Sequence, residues 1–325
     1  MLIRLWTAVL IAVTVLGLAG SGSAREGPWV ESYVDEAEVA AVYGTAADEI
    51  SVAAAARLLW KLTNATRREH DLPELQWLDL AAEVALDQAG EMASRQYVNH
   101  YNLAGQKCEL RFNLAGGTDQ ISENIAYYEI LHRIRLTPQL VERMHQHWLN
   151  SDSHRANILN RRHTHFGAGF AVVSAADRTY AAGAAEFVAD YGDYDQLPGR
   201  AAPGDVLHVH GRLDSGLQLM YLGLGAEDPP FERDVEYQMT HIGGYSPPAV
   251  ALALLPVRDS WSDFAEIPYR RYVVDYNRFT GEFSLLLEIK QHWPTAAYYV
   301  TVWAVDENED ECQPFRTMTQ VVIVD

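Results

Sequence analysis

Few residues in this chain can hold a metal, move protons or attack a carbonyl, and their spacing limits the chemistry open to them. Twelve histidines and two cysteines are spread over 325 residues. His145-Gln146-His147 is an i, i+2 pair in a stretch of helical periodicity. Positions two apart on a helix face different directions, which argues against joint metal binding. His163-Thr164-His165 precedes an extended run, where residues two apart share a face; it suits a metal or, more commonly, a solvated loop. Met144 with His147 suggests copper, but Met144 already belongs to an apolar helical stripe. Ser151 and Ser153 lie just before His154, a spacing that helix capping explains more simply than a Ser–His couple. No G-x-S-x-G elbow follows residue 24, and there is no H-E-x-x-H helix and no Gly-rich phosphate loop after a strand.

The elements that position these residues fall into two halves. Residues 1–24 have the layout of a secretory signal peptide: Arg4, an apolar run from Leu5 to Leu18, and Gly22-Ser23-Ala24 at a cleavage site. A retained membrane anchor needs about 20 apolar residues, and this run is shorter and interrupted by Thr7, Thr14 and Gly17. Residues 25–50 form an acidic lead-in. Helical patterns follow over Ser51 to His70, Asp79 to about Gln96, Thr137 onward with Pro138 at the first helical position, and Ser151 to Leu159. Two strands, Phe166 to Val173 and Thr179 to Val188, flank a hairpin turn. The Gly- and Pro-rich stretch near Pro198-Gly199 separates a first domain, 51–197, from a second, 203–325. The second shows about eight short β runs, Val235 to His241 among them, and reads as an antiparallel, Ig-like β-sandwich. Its aromatic residues, including Trp261, Trp293, Tyr299 and Trp303, suit a sandwich core better than a sugar-binding platform.

Composition excludes some functions. A formal net charge of −19 argues against nucleic acid, whose phosphates require Lys/Arg patches. With 48% hydrophobic residues, two cores are within reach without disulfide staples. Cys108 and Cys312 suit either one bridge between the halves or two buried thiols.

Three separated motifs carry a resemblance. Asn64-Ala65-Thr66-Arg67 precedes Leu75-Gln76-Trp77 and a helix with Ala81, Ala85, Ala89 and Met92, which leads to Asn99-His100. Ser122-Glu123-Asn124-Ile125 is the second. The third runs from Trp148-Leu149-Asn150-Ser151 through Ser153-His154-Arg155-Ala156-Asn157-Ile158-Leu159 to Phe166-Gly167-Ala168-Gly169-Phe170. In this order and spacing, over about residues 55 to 190, they resemble the CAP superfamily, or SCP domain (cysteine-rich secretory proteins, antigen 5, pathogenesis-related proteins), in its bacterial branch. The resemblance implies an α+β chain: a three-layer α-β-α sandwich CAP domain, followed here by the antiparallel β-sandwich.

The resemblance also implies a cleft of two histidines and two acids. His100 and His154 match the histidines and Glu123 one acid, while the fourth position is Ser151, with Asp152 a substitute only if turned inward. His100 and His154 would be the metal ligands, for zinc most readily. Glu123 would fix the tautomer of His100 or, equally, satisfy buried backbone donors. The expected function is that of a secreted or periplasmic, cell-envelope binding module for a small-molecule or lipid-like ligand, an envelope component or a divalent metal. There would be no transmembrane segment after signal cleavage. The alternatives are a metal-assisted extracellular hydrolase with Glu123 as base, and a structural or adhesive role for the β domain.

Overall fold

A computed structural model describes residues 29–31, 36–242, 248–254, 274–308 and 313–325. The expected signal peptide, and with Cys312 the expected Cys108–Cys312 bridge, lie outside the described residues. Among the described residues no helix is long and apolar enough to cross a membrane.

The first domain is a five-stranded sheet between two helical layers. Its strands are β1 (Trp29–Glu31), β2 (Gln76–Trp77), β3 (Gln120–Ile130), β4 (His165–Ala175) and β5 (Arg178–Ala189), in the order β1-β3-β5-β4-β2. β3 and β4 pair antiparallel with β5, and the two short edge strands run parallel to their neighbours. β5 is buried along nearly its whole length because helices cover both faces. On one side lie α1 (Glu36–Tyr43), α2 (Val52–Glu69), α5 (Pro138–Asn150) and α6 (Asp152–Ile158); on the other lie α3 (Asp79–Arg95) and α4 (Cys108–Leu114). Side-chain alternation in the strands separates the two cores. Ala181, Ala185 and Phe187 meet Leu59, Leu140 and Met144 of the first layer. Ala182 and Ala184 meet Ala85, Ala89 and Met92 of α3.

Local sequence explains the helix starts. The Ser51 side chain accepts from the Ala54 N–H at 3.1 Å, and that of Thr137 from the Leu140 N–H at 3.3 Å, with Pro138 in the first turn. Asp79, by contrast, is the first residue of α3 and accepts from the Trp77 indole at 2.7 Å. Arg67 is fully buried near the end of α2, where its guanidinium donates to the carbonyls of Pro73, Ile158 and Asn160. One side chain therefore joins the end of α2 to the loop that follows α6.

The lead-in belongs to this domain: β1 extends the sheet, and Tyr43 of α1 is fully buried in the core shared with α5.

The second domain is a two-sheet sandwich. One sheet has the order β10-β9-β13-β14-β7 and the other β11-β12-β8-β6, with β6 (Gly192–Tyr194), β7 (Arg200–Ala201), β8 (Val206–Leu213), β9 (Leu217–Glu227), β10 (Leu252–Leu254), β11 (Asp275–Tyr276), β12 (Glu282–Glu288), β13 (Ala296–Asp306) and β14 (Phe315–Val324). Leu219, Leu222, Phe283, Leu285, Val302 and Val322 are among the residues filling the space between them. β6 and β7 enter these sheets from residues that the sequence gives to the first domain or to the linker, so the chain joins the sandwich directly after β5. Val235–Thr240, expected as a strand, is a short helix, α7. Asp234 caps it, accepting from the Tyr237 N–H at 2.7 Å. Aromatic and β-branched residues give this stretch strand propensity, and the cap together with tertiary contacts overrides it.

α4 and β14 join the domains. The Asn113 amide donates to the Thr319 carbonyl at 3.1 Å and its oxygen accepts from the Val321 N–H at 2.8 Å. Within the sandwich, Gln320 accepts from the Leu197 N–H at 2.7 Å and donates to the Asp195 carbonyl at 2.9 Å. Leu110 packs with Tyr299, Val321 and Ile323 in a small apolar cluster of its own.

Gly167 and Gly169 let α3 lie directly on β4. A Cβ at Gly167 would strike the backbone of Ala81 and Ala82, and one at Gly169 that of Ala85 and Leu86. Backbone cannot rotate out of the way as a side chain can. Gly169→Ala should therefore destabilise the protein by about 1–3 kcal/mol or more, read as a lower midpoint in urea unfolding. An unchanged midpoint would show that the helix shifts freely.

Candidate functional site

His100 follows the loop that closes α3. Gln96, in left-handed conformation at φ 62°, ends the helix, and Gln88 fixes the loop by donating to the Asn99 carbonyl at 2.7 Å. Glu123 stands on the β3 face that looks toward α3 and α4. The two meet: His100 Nδ1 and Glu123 Oε1 are 2.7 Å apart. Both are buried, at 2% and 1% exposure, so the expected cleft pair is present but withdrawn from solvent.

Arg111 of α4 completes this cluster. Its guanidinium bonds Glu123 Oε2 and donates to the carbonyls of His100 at 2.9 Å and Gln106 at 3.1 Å. It also lies 3.7 Å from Glu186 Oε1. Glu186 sits directly opposite Glu123 on β5 and is fully buried. Like charges placed opposite each other across two strands repel. Burial pushes the Glu123 carboxyl up, but the Arg111 charge and the His100 hydrogen bond outweigh it, and Glu123 is held below the usual carboxylate range. Burial and the Glu123 charge push Glu186 well above that range despite Arg111. Neither Glu186 oxygen meets a donor. A protonated Glu186 supplies its own donor and bonds Glu123, whereas an ionised one would be unsolvated, so we assign the proton to Glu186.

His154 reaches β3 from the other helical layer. Its backbone carbonyl accepts from the Asn124 amide at 3.0 Å, and its ring lies 6.5 Å from that of Trp148. Asn157 ties the same helix to the Glu123 carbonyl and to Asn124 Oδ1. Adjacent strand positions face opposite ways, so Glu123 serves the α4 side and Asn124 the α6 side. Ser151 is half-buried at the α5–α6 junction, its hydroxyl 3.3 Å from that of Ser153. Asp152 turns outward and pairs with Arg155, so it is no substitute for the fourth acid. Cys108, whose thiol donates to Glu109 at 3.4 Å, is fully buried, and that burial drives the thiol well up.

The other histidines serve packing. His145 is buried and pushed down to about 4 by desolvation, while its near neighbour His147 bonds the Tyr128 hydroxyl and stacks on that ring. His163 is also lowered to about 4, chiefly by burial; its Nδ1 lies 2.9 Å from the Asn157 carbonyl and its ring stacks on Phe187. His165 lies 3.7 Å from Asp190.

The donor set fits a divalent metal poorly. Both Glu123 oxygens are engaged, one by His100 and one by a guanidinium whose charge would repel a cation. Among the described residues no three His, Cys, Asp or Glu side chains are grouped as a metal requires.

Sequence reasoning missed Arg111 and Glu186. The latter had a signal: it is the one carboxylate in an otherwise apolar run, Thr179 to Val188, and a charge in a buried strand needs a partner.

Over the strand end that bears this cluster lies the second domain. Gln238 of α7 is fully buried and donates to the carbonyls of Tyr101 and Asn102, each at 2.8 Å. Asn99 donates back to the Gln238 and His241 carbonyls. Val235, Met239 and Ile242 pack on the apolar patch formed by Tyr97, Tyr127, Tyr180, Ala182 and Ala184.

Known proteins share the first domain. The profile of the cysteine-rich secretory protein family (CAP) matches residues 60–191. The uncharacterized membrane protein YlbC of Bacillus subtilis (strain 168) is 36% identical over 110 residues, which are 33% of this chain and 29% of that one. The uncharacterized protein YkwD of the same organism is 30% identical over 121 residues, 37% of this chain and 44% of that one. The chain thus spans under half the length of these curated relatives. A crystal structure of an extracellular protein containing a SCP domain from Bacillus anthracis str. Ames aligns with a TM-score of 0.33 and 26% identity, covering 42% of this chain and 40% of the other.

The buried charges have two measurable consequences. Glu186 has a folded pKa above its unfolded value of about 4.5, so stability is lost as pH rises from there toward the folded pKa. Glu186→Gln keeps the hydrogen bond to Glu123 without the titration. Thermal melts should show the variant more stable than the parent at pH 8, with the gap closing near pH 4.5. Arg111→Met leaves Glu123 without its counter-charge and should cost about 3–5 kcal/mol in denaturant unfolding.

Proposed function

We propose, from the match of residues 60–191 to the CAP family, that the protein is an exported, non-enzymatic binding module for a small amphipathic, lipid-like ligand. The export half rests on the leader pattern of residues 1–24. The binding half rests on what α7 covers. Beneath it is an apolar, tyrosine-edged patch with polar groups of the 99–102 loop beside it, the two-part character that an acyl chain and its head group require. In the described conformation the protein's own α7 occupies that place, so a ligand competes with it and binds when α7 lifts.

The chemistry of the cluster favours binding over hydrolysis. A general base works best with a pKa near the operating pH, and Glu123 is held low by Arg111 while the Cys108 thiol is driven up. The Ser151 hydroxyl approaches Ser153, in the helical layer on the far side of the sheet from Glu123.

The test is titration of the full secreted chain with a neutral monoacylglycerol, followed by calorimetry. Gln238→Ala loosens α7 and removes part of the cost of displacing it, so affinity should rise about tenfold over the parent. Failure of both proteins to bind sinks the reading. Parallel incubation with peptide, glycan and ester substrates, with and without chelator, should give no turnover; chelator-sensitive turnover would favour the hydrolase. A zinc titration compared with the His100→Ala, His154→Ala double variant decides the metal expectation.

A further inference from the structure

A cavity of about 230 Å³ lies between the domains and shares no lining residue with the His100–Glu123–Arg111 cluster. Its walls come from three parts of the chain: Tyr101 and Lys107 of the first domain, the strap from Glu227 to Arg233 that links β9 to α7, and the outer face of β13 and β14 at Tyr299 and Val321. Gly105 lets the strap approach. It has φ +73°, and a Cβ there would lie on the Phe231 carbonyl and 2.8 Å from the Phe231 nitrogen. The Arg233 N–H donates to the Leu103 carbonyl at 2.7 Å, fixing the strap to the loop at the cavity wall.

The cavity lining carries two cations, Lys107 and Arg233, and two acids, Glu227 and Asp228. Lys107, buried at 4% exposure, bonds one oxygen of Glu227, and the Tyr299 hydroxyl donates to the other at 2.5 Å. That lysine and that carboxylate neutralise each other. Arg233 is different. Its guanidinium carbon lies 3.7 Å from the ring centre of Tyr101, 4.8 Å from that of Phe231 and 5.3 Å from that of Tyr237. Among the described residues its charge meets rings rather than a carboxylate, and its Nε is buried with no hydrogen-bond partner. Aromatic rings hold a guanidinium by its face, leaving the in-plane donors at the edge. Those donors form a rigid fork that matches a carboxylate in a bidentate way. The strap's Asp228, Pro229 and Pro230 and the apolar Leu110 and Ala297 also line the wall.

We propose that this interdomain cavity is a binding site for a small organic carboxylate, no larger than a monosaccharide acid, held through the edge of Arg233. The ring cage orients the fork before the ligand arrives, which lowers the ordering cost of binding. The site needs both domains, because Tyr299 and the strap belong to one and Tyr101 to the other. The argument for it does not use the lipid-like ligand proposed for the patch under α7, although Tyr237 of α7 lines this cavity.

The test is calorimetric titration of the full chain with D-glucuronate and with phenylacetate, and with D-glucose as the neutral counterpart of the first. Saturable binding of at least one carboxylate, absent for glucose, is expected. Arg233→Gln should weaken it at least tenfold, and Arg233→Lys, which keeps the charge and loses the fork, should recover only part. Thermal melts of both variants accompany the titrations and separate loss of this site from loss of the fold. Failure of both carboxylates to bind, equal binding of glucose, or full affinity in a folded Arg233→Gln protein would overturn the proposal.

Discussion

The interior of the first domain depends on one guanidinium. Arg111 faces two carboxyl groups, Glu123 and Glu186, that the sheet register places side by side away from water. A buried ion costs several kcal/mol unless it is paired and hydrogen-bonded. One cation cannot neutralise two such anions, so the cluster is stable only with a proton retained on one of them. Glu123, which has both Arg111 and His100, is the one that ionises. His100, one of the two expected ligands, thereby becomes part of a charge-balancing network in which Arg111 also donates to the carbonyls of His100 and Gln106.

That network also explains a helix of only seven residues. α4 turns Cys108, Arg111 and Phe112 toward the first domain and Leu110 and Asn113 toward the second. Arg111 anchors its inner face with charge, while Asn113 anchors its outer face with two hydrogen bonds to the backbone of β14. An isolated helix of this length is not stable in water; it persists because both faces are covered. The docking of the domains and the electrostatics of the cluster are thus held by the same short element.

Much of the fold was legible, and the reasons differ by element. α2 and α5 announced themselves through apolar stripes, and α5 also through Thr137-Pro138 at its start, signals that depend only on neighbours in sequence. The order of the three motifs pointed to the α-β-α layers, and the family match bears that out. α4 and β3 escaped because their residues are buried by long-range contacts and show no amphipathic period. α7 was mistaken for a strand because its propensity is β-like while its helix is imposed by Asp234 and the clasp on Gln238. The pairing of His100 with Glu123 was visible through the resemblance. Arg111 and Glu186 were not, since a strand's opposite neighbour is set by register and no local pattern reveals it.

The same reasoning separates polar groups that build the fold from those that are available. His163, Glu123 and Arg67 are polar side chains deep in the first domain, and each meets a hydrogen-bond partner or a ring. Buried polar atoms in folded proteins are nearly always satisfied, so conspicuous residue types in the interior say little about ligands. Arg233 is set apart by its place and its ring cage, not by its Nε, since Arg111 Nε is likewise buried without a hydrogen-bond partner. It is half-buried at a seam between domains, caged by rings, and its backbone is held to the Leu103 carbonyl. Structure alone needs a cation there only as a spacer between aromatic faces. A caged guanidinium whose edge lines an interdomain cavity is best understood as held in place for something outside the chain.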